Sequence, residues 1–544
     1  MNPFVGVFFH WLGGLASGSF YVPYRSVKKW SWEVYWLAGG VFSWIFAPWI
    51  AAFFLTENLF PVLLKACSQH PGAVGMAFLF GMMWGLGGLT FGLTMRYLGM
   101  SLGMAIALGY CTAFGFLMPP LFKFDRAKFL EGDWSVFLQG EFVTKMLGTT
   151  SGNIILFGVA VCMLGIVIAA LAGTSKEREM SEEAKKAAIK EFSFVKGLMV
   201  ATFSGIMSAG MSYGMAAAGP IADLTQEAGT LKMWSELPRL CVILAGGFLS
   251  NFLWCAFLFM KNGTGYQFFA SHIPDEPGVK VTEEMKKSAP NVPMITNYIF
   301  CAVAGVTWYL QFFFYSMGET QMGAYQFSSW PLHMASIMIF SSIWGLALHE
   351  WKGSSGYTKT VLFVTLFTLI LSTMIIGYGT QVGKVDKEGE FLNLAAKVDL
   401  QNKLIAFVDS PEELASIKES VLENIKPIAK FAPLKEGEKE PEDITKRKIE
   451  GLLADCGLSG YEKPFPKEGE AEQGPKKMTL SEQLQMAFVK TDAQKLGQEN
   501  SIRLIQSANA LAETDDAEAI RKHCGEINAA LQNLVEFLNE QKGK

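Results

Sequence analysis

The chain is poor in the residues that usually announce chemistry. It has 8 cysteines and 6 histidines in 544 residues, and no two cysteines form a Cys-x-x-Cys pair. That scatter argues against both a metal site and a disulfide framework. A nucleophile–base motif, a metal-ligand cluster and a phosphate-binding glycine loop are all missing, so an enzyme and a resident cofactor or metal are not expected. Charge is scarce as well, at 18% of residues, and it is segregated. Of 46 Lys+Arg and 50 Asp+Glu in the chain, 23 and 30 fall in residues 384–544. No Asp or Glu lies in the middle of any long apolar run of residues 1–383.

Apolar residues are abundant. Half of the chain is hydrophobic, with 43 Phe, 26 Met and 14 Trp, and the mean hydropathy is +0.25. A soluble protein of this length would divide into several cores separated by polar seams. Runs of about 20 apolar residues are instead the length that crosses a bilayer core as a helix. Ten occur, at roughly 4–22, 34–55, 72–94, 98–120, 153–172, 197–218, 238–260, 294–317, 325–348 and 359–379. The expected fold is an all-α membrane protein with ten transmembrane helices over residues 1–383. A soluble, acidic helical domain follows over 384–544.

Basic residues suggest the orientation. The first run has none before it and is followed by Arg25, Lys28 and Lys29, the reverse of a signal peptide. By the positive-inside rule the end of span 1 is cytoplasmic. Connections after odd-numbered spans are the more basic, with Lys176, Arg178, Lys185, Lys186 and Lys190 in one of them. Both termini are then expected outside, in the periplasm. The 122–150 connection runs against this trend with Lys123, Arg126, Lys128 and Lys145.

Ten spans invite a repeat of five, and an odd number inverts the second half. Span 1 holds "GGLASGSFYVP" and span 6 "SAGMSYGMAAAGP", each rich in small residues with one tyrosine and a closing proline. Span 3 pairs Trp84 with Phe91, and span 8 pairs Trp308 with Tyr315, both seven residues apart. The halves are about 1–172 and 197–380. Much of the glycine has a plainer role, letting helices approach closely in lipid.

Polar residues inside spans are costly in lipid and mark a cavity or a pathway. His10, Gly14, Ser17 and Tyr21 share one helical face, and so do Gln326, Ser329 and His333. Trp308, Gln311 and Tyr315 make a third stripe, and span 6 offers Ser208 and Ser212. Indole and phenol rings beside amide, hydroxyl and imidazole groups suit a sugar, whose CH faces stack while its hydroxyls need directional partners. Any one such residue can instead bond a neighbouring helix. The candidate pocket is His10, Tyr21, Trp84, Ser212, Trp308, Gln311, Tyr315, Gln326 and His333. Proton-coupling candidates are His10, His333 and Glu319, since histidine titrates near neutrality. Either histidine could equally act as a neutral donor to substrate. Arg96 and Glu319 stand near span ends, where snorkelling explains a charge.

Five stretches, "FYVPYRSVKKWSWE" (20–33), "GLTMRYLGMSLG" (92–103), "SAGMSYGMAAAGP" (208–220), "WYLQFFFYSMG" (308–318) and "WPLHM" (330–334), closely resemble the bacterial L-rhamnose–proton symporter family. The likeness covers roughly residues 1–380. It implies the drug/metabolite transporter fold of two inverted five-helix repeats, and an inner-membrane sugar importer driven by protons through alternating access. The chain departs from that family at Gly88 and Thr90, where asparagines stand, at Gly219, where a lysine stands, and at Gln326, where an aspartate stands. A related deoxysugar or another small polar metabolite therefore stays open as substrate.

Beyond residue 380 the resemblance ends. "SPEELASIKESVLENI" has Ser410 as N-cap, Pro411 at the first position and Glu413 completing a capping box. Further helices are expected at about 442–455, 479–512 and 515–541, the last with Ile520, Ile527, Leu531, Leu534 and Leu538 on one stripe. The acidic surplus argues against nucleic acid as a partner. His523 beside Cys524 is weak evidence for metal or redox work. In a periplasmic tail, Cys456 and Cys524 could pair. The reading is a sugar transporter with a helical accessory domain of unknown partner. The alternative is a membrane sugar sensor that signals through that domain.

Overall fold

The computed structural model describes residues 2–98, 100–123, 132–179, 194–270, 272, 291–349, 351–408, 410–425, 500, 503–504 and 506–542, and these are helical almost throughout. Among the described residues, eight helical stretches are long and apolar enough to cross a membrane. They fall on α1 (Pro3–Ser19), α2 (Trp32–Gly40) continuing into α3 (Ala47–Leu55), α4 (Pro71–Leu98), α6 (Thr150–Glu179), α9 (Leu237–Asn262), α10 (Met294–Glu319), α11 (Ser329–Ala347) and α12 (Gly356–Leu404). The other two apolar runs are also helical. α5 (Met100–Leu121) has a shorter apolar stretch at Ile106–Leu121. The run 197–218 is broken at Ala209 into α7 (Phe194–Ser208) and α8 (Gly210–Ala217).

Local chemistry explains several of these features. Asn2 caps α1, its side chain accepting from the Phe4 N–H at 3.1 Å, and Pro3 takes the first helical position. Between α2 and α3 the chain widens into a π-helical turn, Val41–Phe46, just before Pro48. Proline has no N–H to offer the carbonyl four residues earlier, and such π-bulges concentrate at functional sites.

α1 packs against α10 and α11, and α2–α3 pack against α9 and α10. α4 packs against α7, α8 and α9, while α5 packs against α6, α7 and α11. With little hydrophobic drive inside a bilayer, close backbone approach supplies the attraction. A Cβ on Gly14 would sit 2.4 Å from Ser336 Cβ, and one on Gly13 2.9 Å from the Gln311 carbonyl oxygen. The two glycines bring the His10 face of α1 onto the polar faces of α10 and α11.

The chain divides into two compact units. One comprises Asn2–Leu224 and Trp234–Thr380, and the other groups Gln381–Lys544 with Thr225–Met233. The second unit contains the end of α12, α13 (Pro411–Ile425) and α14 (Ala517–Lys542). Its core includes Phe391, Val398, Leu414, Val421, Ile527, Leu531 and Leu534. The Glu413 N–H donates to Ser410 Oγ at 3.4 Å, as the cap requires. Cys524 is buried in this core, and His523 bonds Glu526 at 3.0 Å. Cys456, the 442–455 segment, residues 479–499 and the linker 180–193 lie outside the described residues.

Candidate functional site

α10 is apolar for most of its length, yet one face carries Trp308, Gln311, Tyr315 and Glu319. Spacings of three or four residues stack these side chains along the helix. Each opens a different environment.

The middle of the stripe meets two histidines. His10 from α1 and His333 from α11 each lie with their ring centre 5.3 Å from that of Tyr315, and 6.5 Å from one another. Trp330 joins them 6.0 Å from Tyr315, its Nε1 donating to the Cys111 carbonyl at 2.9 Å. His10 and His333 are fully buried, and Gln311 is 3% exposed. Both ring nitrogens of each histidine and Nε2 of Gln311 have no hydrogen-bond partner. A buried polar atom left unpaired costs about 1–3 kcal/mol. Five such atoms gather around one tyrosine.

One end of the stripe opens on a tight aromatic cleft lined by Phe20, Tyr24, Trp36, Ser43, Trp44 and Trp308 among others. Ser43 and Trp44 belong to the π-helical turn, which brings both side chains to the cleft. Ser43 Oγ and the Trp44 and Trp308 indole nitrogens have no partner, whereas Trp36 Nε1 donates to Asn251 Oδ1 at 3.0 Å.

At the other end, Glu319 is only 8% exposed and takes a hydrogen bond from Nη2 of the buried Arg239. Arg239 also pairs through Nε with Glu236, which precedes α9. The snorkelling expectation for Glu319 is thus overturned, because a buried guanidinium holds it inside the protein. The Arg96 side chain lies outside the described residues.

The structure gathers His10, Gln311, Tyr315 and His333 in one cluster and places Trp308 in the cleft. Trp84 bridges outward, with ring centres 5.3 Å from Phe312 and 6.2 Å from Trp44. Three of the expected residues stand apart from this cluster. Ser212 is spent on packing, its Oγ donating to the Gly115 carbonyl at 2.7 Å. Gln326 is exposed, because α11 starts only at Ser329 and a 3₁₀ turn precedes it, so the stripe does not extend back to it. Tyr21 is 50% exposed and stacks on Trp36 at 6.3 Å, away from the imidazoles. Sequence reasoning missed Trp36, Ser43 and Trp44, which are inconspicuous among so many aromatics. It also missed Arg239 and Glu236, whose one signal was charge at the edge of an apolar run.

The family model for the L-rhamnose-proton symport protein matches residues 2–382. The L-rhamnose-proton symporter of Yersinia pestis is 36% identical over 381 residues, which cover 69% of this chain and 97% of the relative. The L-rhamnose-proton symporter of Pectobacterium atrosepticum is 36% identical over 388 residues, covering 70% of this chain and 99% of the relative.

Proposed function

Because the chain belongs to the L-rhamnose–proton symporter family, we propose that it imports L-rhamnose or a closely related sugar across the inner membrane. It is a multi-pass membrane transport protein, not an enzyme. The sugar binds between α1, α10 and α11, and import is coupled to protons by alternating access. The observation that carries this reading is the set of unpaired buried atoms on His10, His333 and Gln311. A sugar hydroxyl both donates and accepts, so it can satisfy a neutral imidazole in either tautomer and an amide N–H as well. Trp308, Trp36 and Trp44 supply flat faces for the CH surface of the ring.

The transporter comprises residues 1–383, in inverted halves of about 1–172 and 197–380, with 384–544 as an accessory domain. The packing pattern supports the halves. Exchanging each helix with its counterpart five spans on turns α1–α10 into α7–α4, α1–α11 into α7–α5, and α2–α10 into α9–α4, and all of these pairs pack. The charge bias of the connections supports periplasmic termini.

Uptake of labelled L-rhamnose into proteoliposomes, with and without an inward proton gradient, tests the reading. Accumulation that depends on the gradient is the expected result. Folded protein that takes up no rhamnose under either condition overturns it, and a panel of other deoxysugars follows.

The sensor reading keeps one supporting observation. The family model ends at residue 382, and alignments of 381 and 388 residues already cover 97% and 99% of the relatives, so most of the C-terminal region is additional to the transporter. A sensor would bind the sugar without net flux.

A further inference from the structure

The imidazole cluster and the aromatic cleft lie along one face of α10, and their spacing keeps them apart. Trp308 lines the cleft and Tyr315 centres the cluster. Seven residues separate the two, about 10 Å along the helix, which is further than one sugar ring reaches. Gln311 stands between them, and its Nε2 has no hydrogen-bond partner. A sugar that meets both histidines therefore leaves the cleft unused.

The cleft has polar groups of its own. Ser43 and Trp44 are 2% and 3% exposed, and Ser43 Oγ and the indole nitrogens of Trp44 and Trp308 have no partner. Two N–H donors and a hydroxyl that both donates and accepts make a set that an oxygen-rich ligand satisfies. The backbone is shaped to present them. Ser43 and Trp44 ride on the π-helical turn, and a Cβ on Gly40 would sit 2.5 Å from the Trp44 ring, so glycine there makes room for the indole. Trp36 is held by Asn251 at 3.0 Å, which leaves its ring as a fixed wall.

One ring covers this space. Phe20 packs with its centre 3.9 Å from that of Trp308, against the indole where the CH side of a sugar would stack. It stands between the end of α1 and the short helical turn Tyr21–Tyr24. Pro23 in that turn has no N–H for the Ser19 carbonyl, so the helix loses a bond beside Phe20.

The geometry points to the aromatic cleft as a second station for the sugar, with Phe20 as the movable ring that covers it. This inference deepens the proposed sugar import and rests on it. Leaving the imidazoles, the sugar passes Gln311, displaces Phe20 from Trp308 and stacks on the indole in its place. Ser43 and the Trp44 N–H then take its hydroxyls. Phe20 and Tyr24 lie at the end of α1, the side that Arg25, Lys28 and Lys29 mark as cytoplasmic. The second station is the one from which imported sugar is released.

The test uses the full-length protein in right-side-out and inside-out membrane vesicles. Wild type is compared with S43A and with W44F, which keeps a ring and removes the N–H. In both variants the L-rhamnose concentration for half-maximal exchange should rise at least ~10-fold from the cytoplasmic face and less than ~2-fold from the periplasmic face. A rise of equal size from both faces makes cleft and cluster one site and overturns the proposal. No rise from either face makes the cleft mere packing, and overturns it too. A second readout needs no transport. S43C should react slowly with a small methanethiosulfonate, read at that residue by mass spectrometry, and at least ~10-fold faster when F20A is added. Equal rates with and without F20A overturn Phe20 as the cover. Labelling that F20A accelerates, in protein that exchanges no rhamnose from either face, overturns the substrate reading and leaves the covered cleft standing.

Discussion

His333 holds two ring nitrogens that no other group satisfies, so the fold gains nothing from its polarity. Replacing it with leucine, of similar size, should leave the melting temperature in detergent within a few degrees of wild type. Sugar affinity should fall at least ~10-fold, about 1.4 kcal/mol, by isothermal titration or tryptophan quenching. A large loss of stability with unchanged affinity would mean the imidazole serves packing. Ser212 should behave oppositely. Ser212→Ala removes the bond to the Gly115 carbonyl and should cost about 1 kcal/mol of stability, with the KM for sugar unaltered. At this scale the sequence was partly legible. Gln311, Tyr315, His10 and His333 stood out because each polar group interrupts an apolar run. Arg239 and Glu236 did not, because charges at the margin of such a run are usually explained by snorkelling. Gln326 was misassigned because its helical stripe was extrapolated past the start of α11. Nothing in the chain marks where a 3₁₀ turn replaces an α-turn.

The contact of α1 with α10 and α11 depends on glycine where backbones nearly touch. Gly14 is the tightest of these, with Ser336 Cβ 2.4 Å from the position of any added Cβ. Gly14→Val must push the helices apart, and overpacking of this kind costs typically 1–3 kcal/mol. Fluorescence-detected size exclusion after a temperature series should show a lower melting point. Uptake should fall too, because His10 would be moved away from Tyr315. A substitution that melts like wild type would mean α1 is not clamped there. Helix positions were readable from hydropathy, since lipid fixes the length of an apolar run. The break at Ala209 and the π-helical turn at Val41–Phe46 were not. Both arise from how the backbone bonds are shared within an otherwise uniform apolar segment.

For the whole chain, the charge surplus after residue 384 suggests a change of solvent, and the structure groups Gln381–Lys544 with Thr225–Met233 in a separate compact unit. That addition could not be read from composition, because it joins segments about 150 residues apart in the sequence. Truncation after residue 383 should leave rhamnose uptake within about threefold of wild type, because the relatives end with the matched region. Complete loss of uptake with sugar binding intact would favour the sensor. Acid should loosen the C-terminal unit. Burial alone would raise the Glu526 carboxyl, but bonds from His523 and Ser507, each 3.0 Å, hold it below its usual value. An acid held low when folded contributes stability above its unfolded value of about 4.3 and loses it as pH falls through the folded value. Hydrogen exchange of residues 506–542 should therefore quicken at acidic pH, and less steeply in Glu526→Gln.

The unpaired imidazoles have a consequence for the life of the protein in its cell. If the sugar completes these polar groups, an empty carrier is at its most fragile when idle. Cargo at a hundred times its Kd adds about 2.7 kcal/mol to the folded state, a margin large enough to alter how often the chain opens to proteases. The sugar would then govern how long the carrier survives as well as whether it turns over.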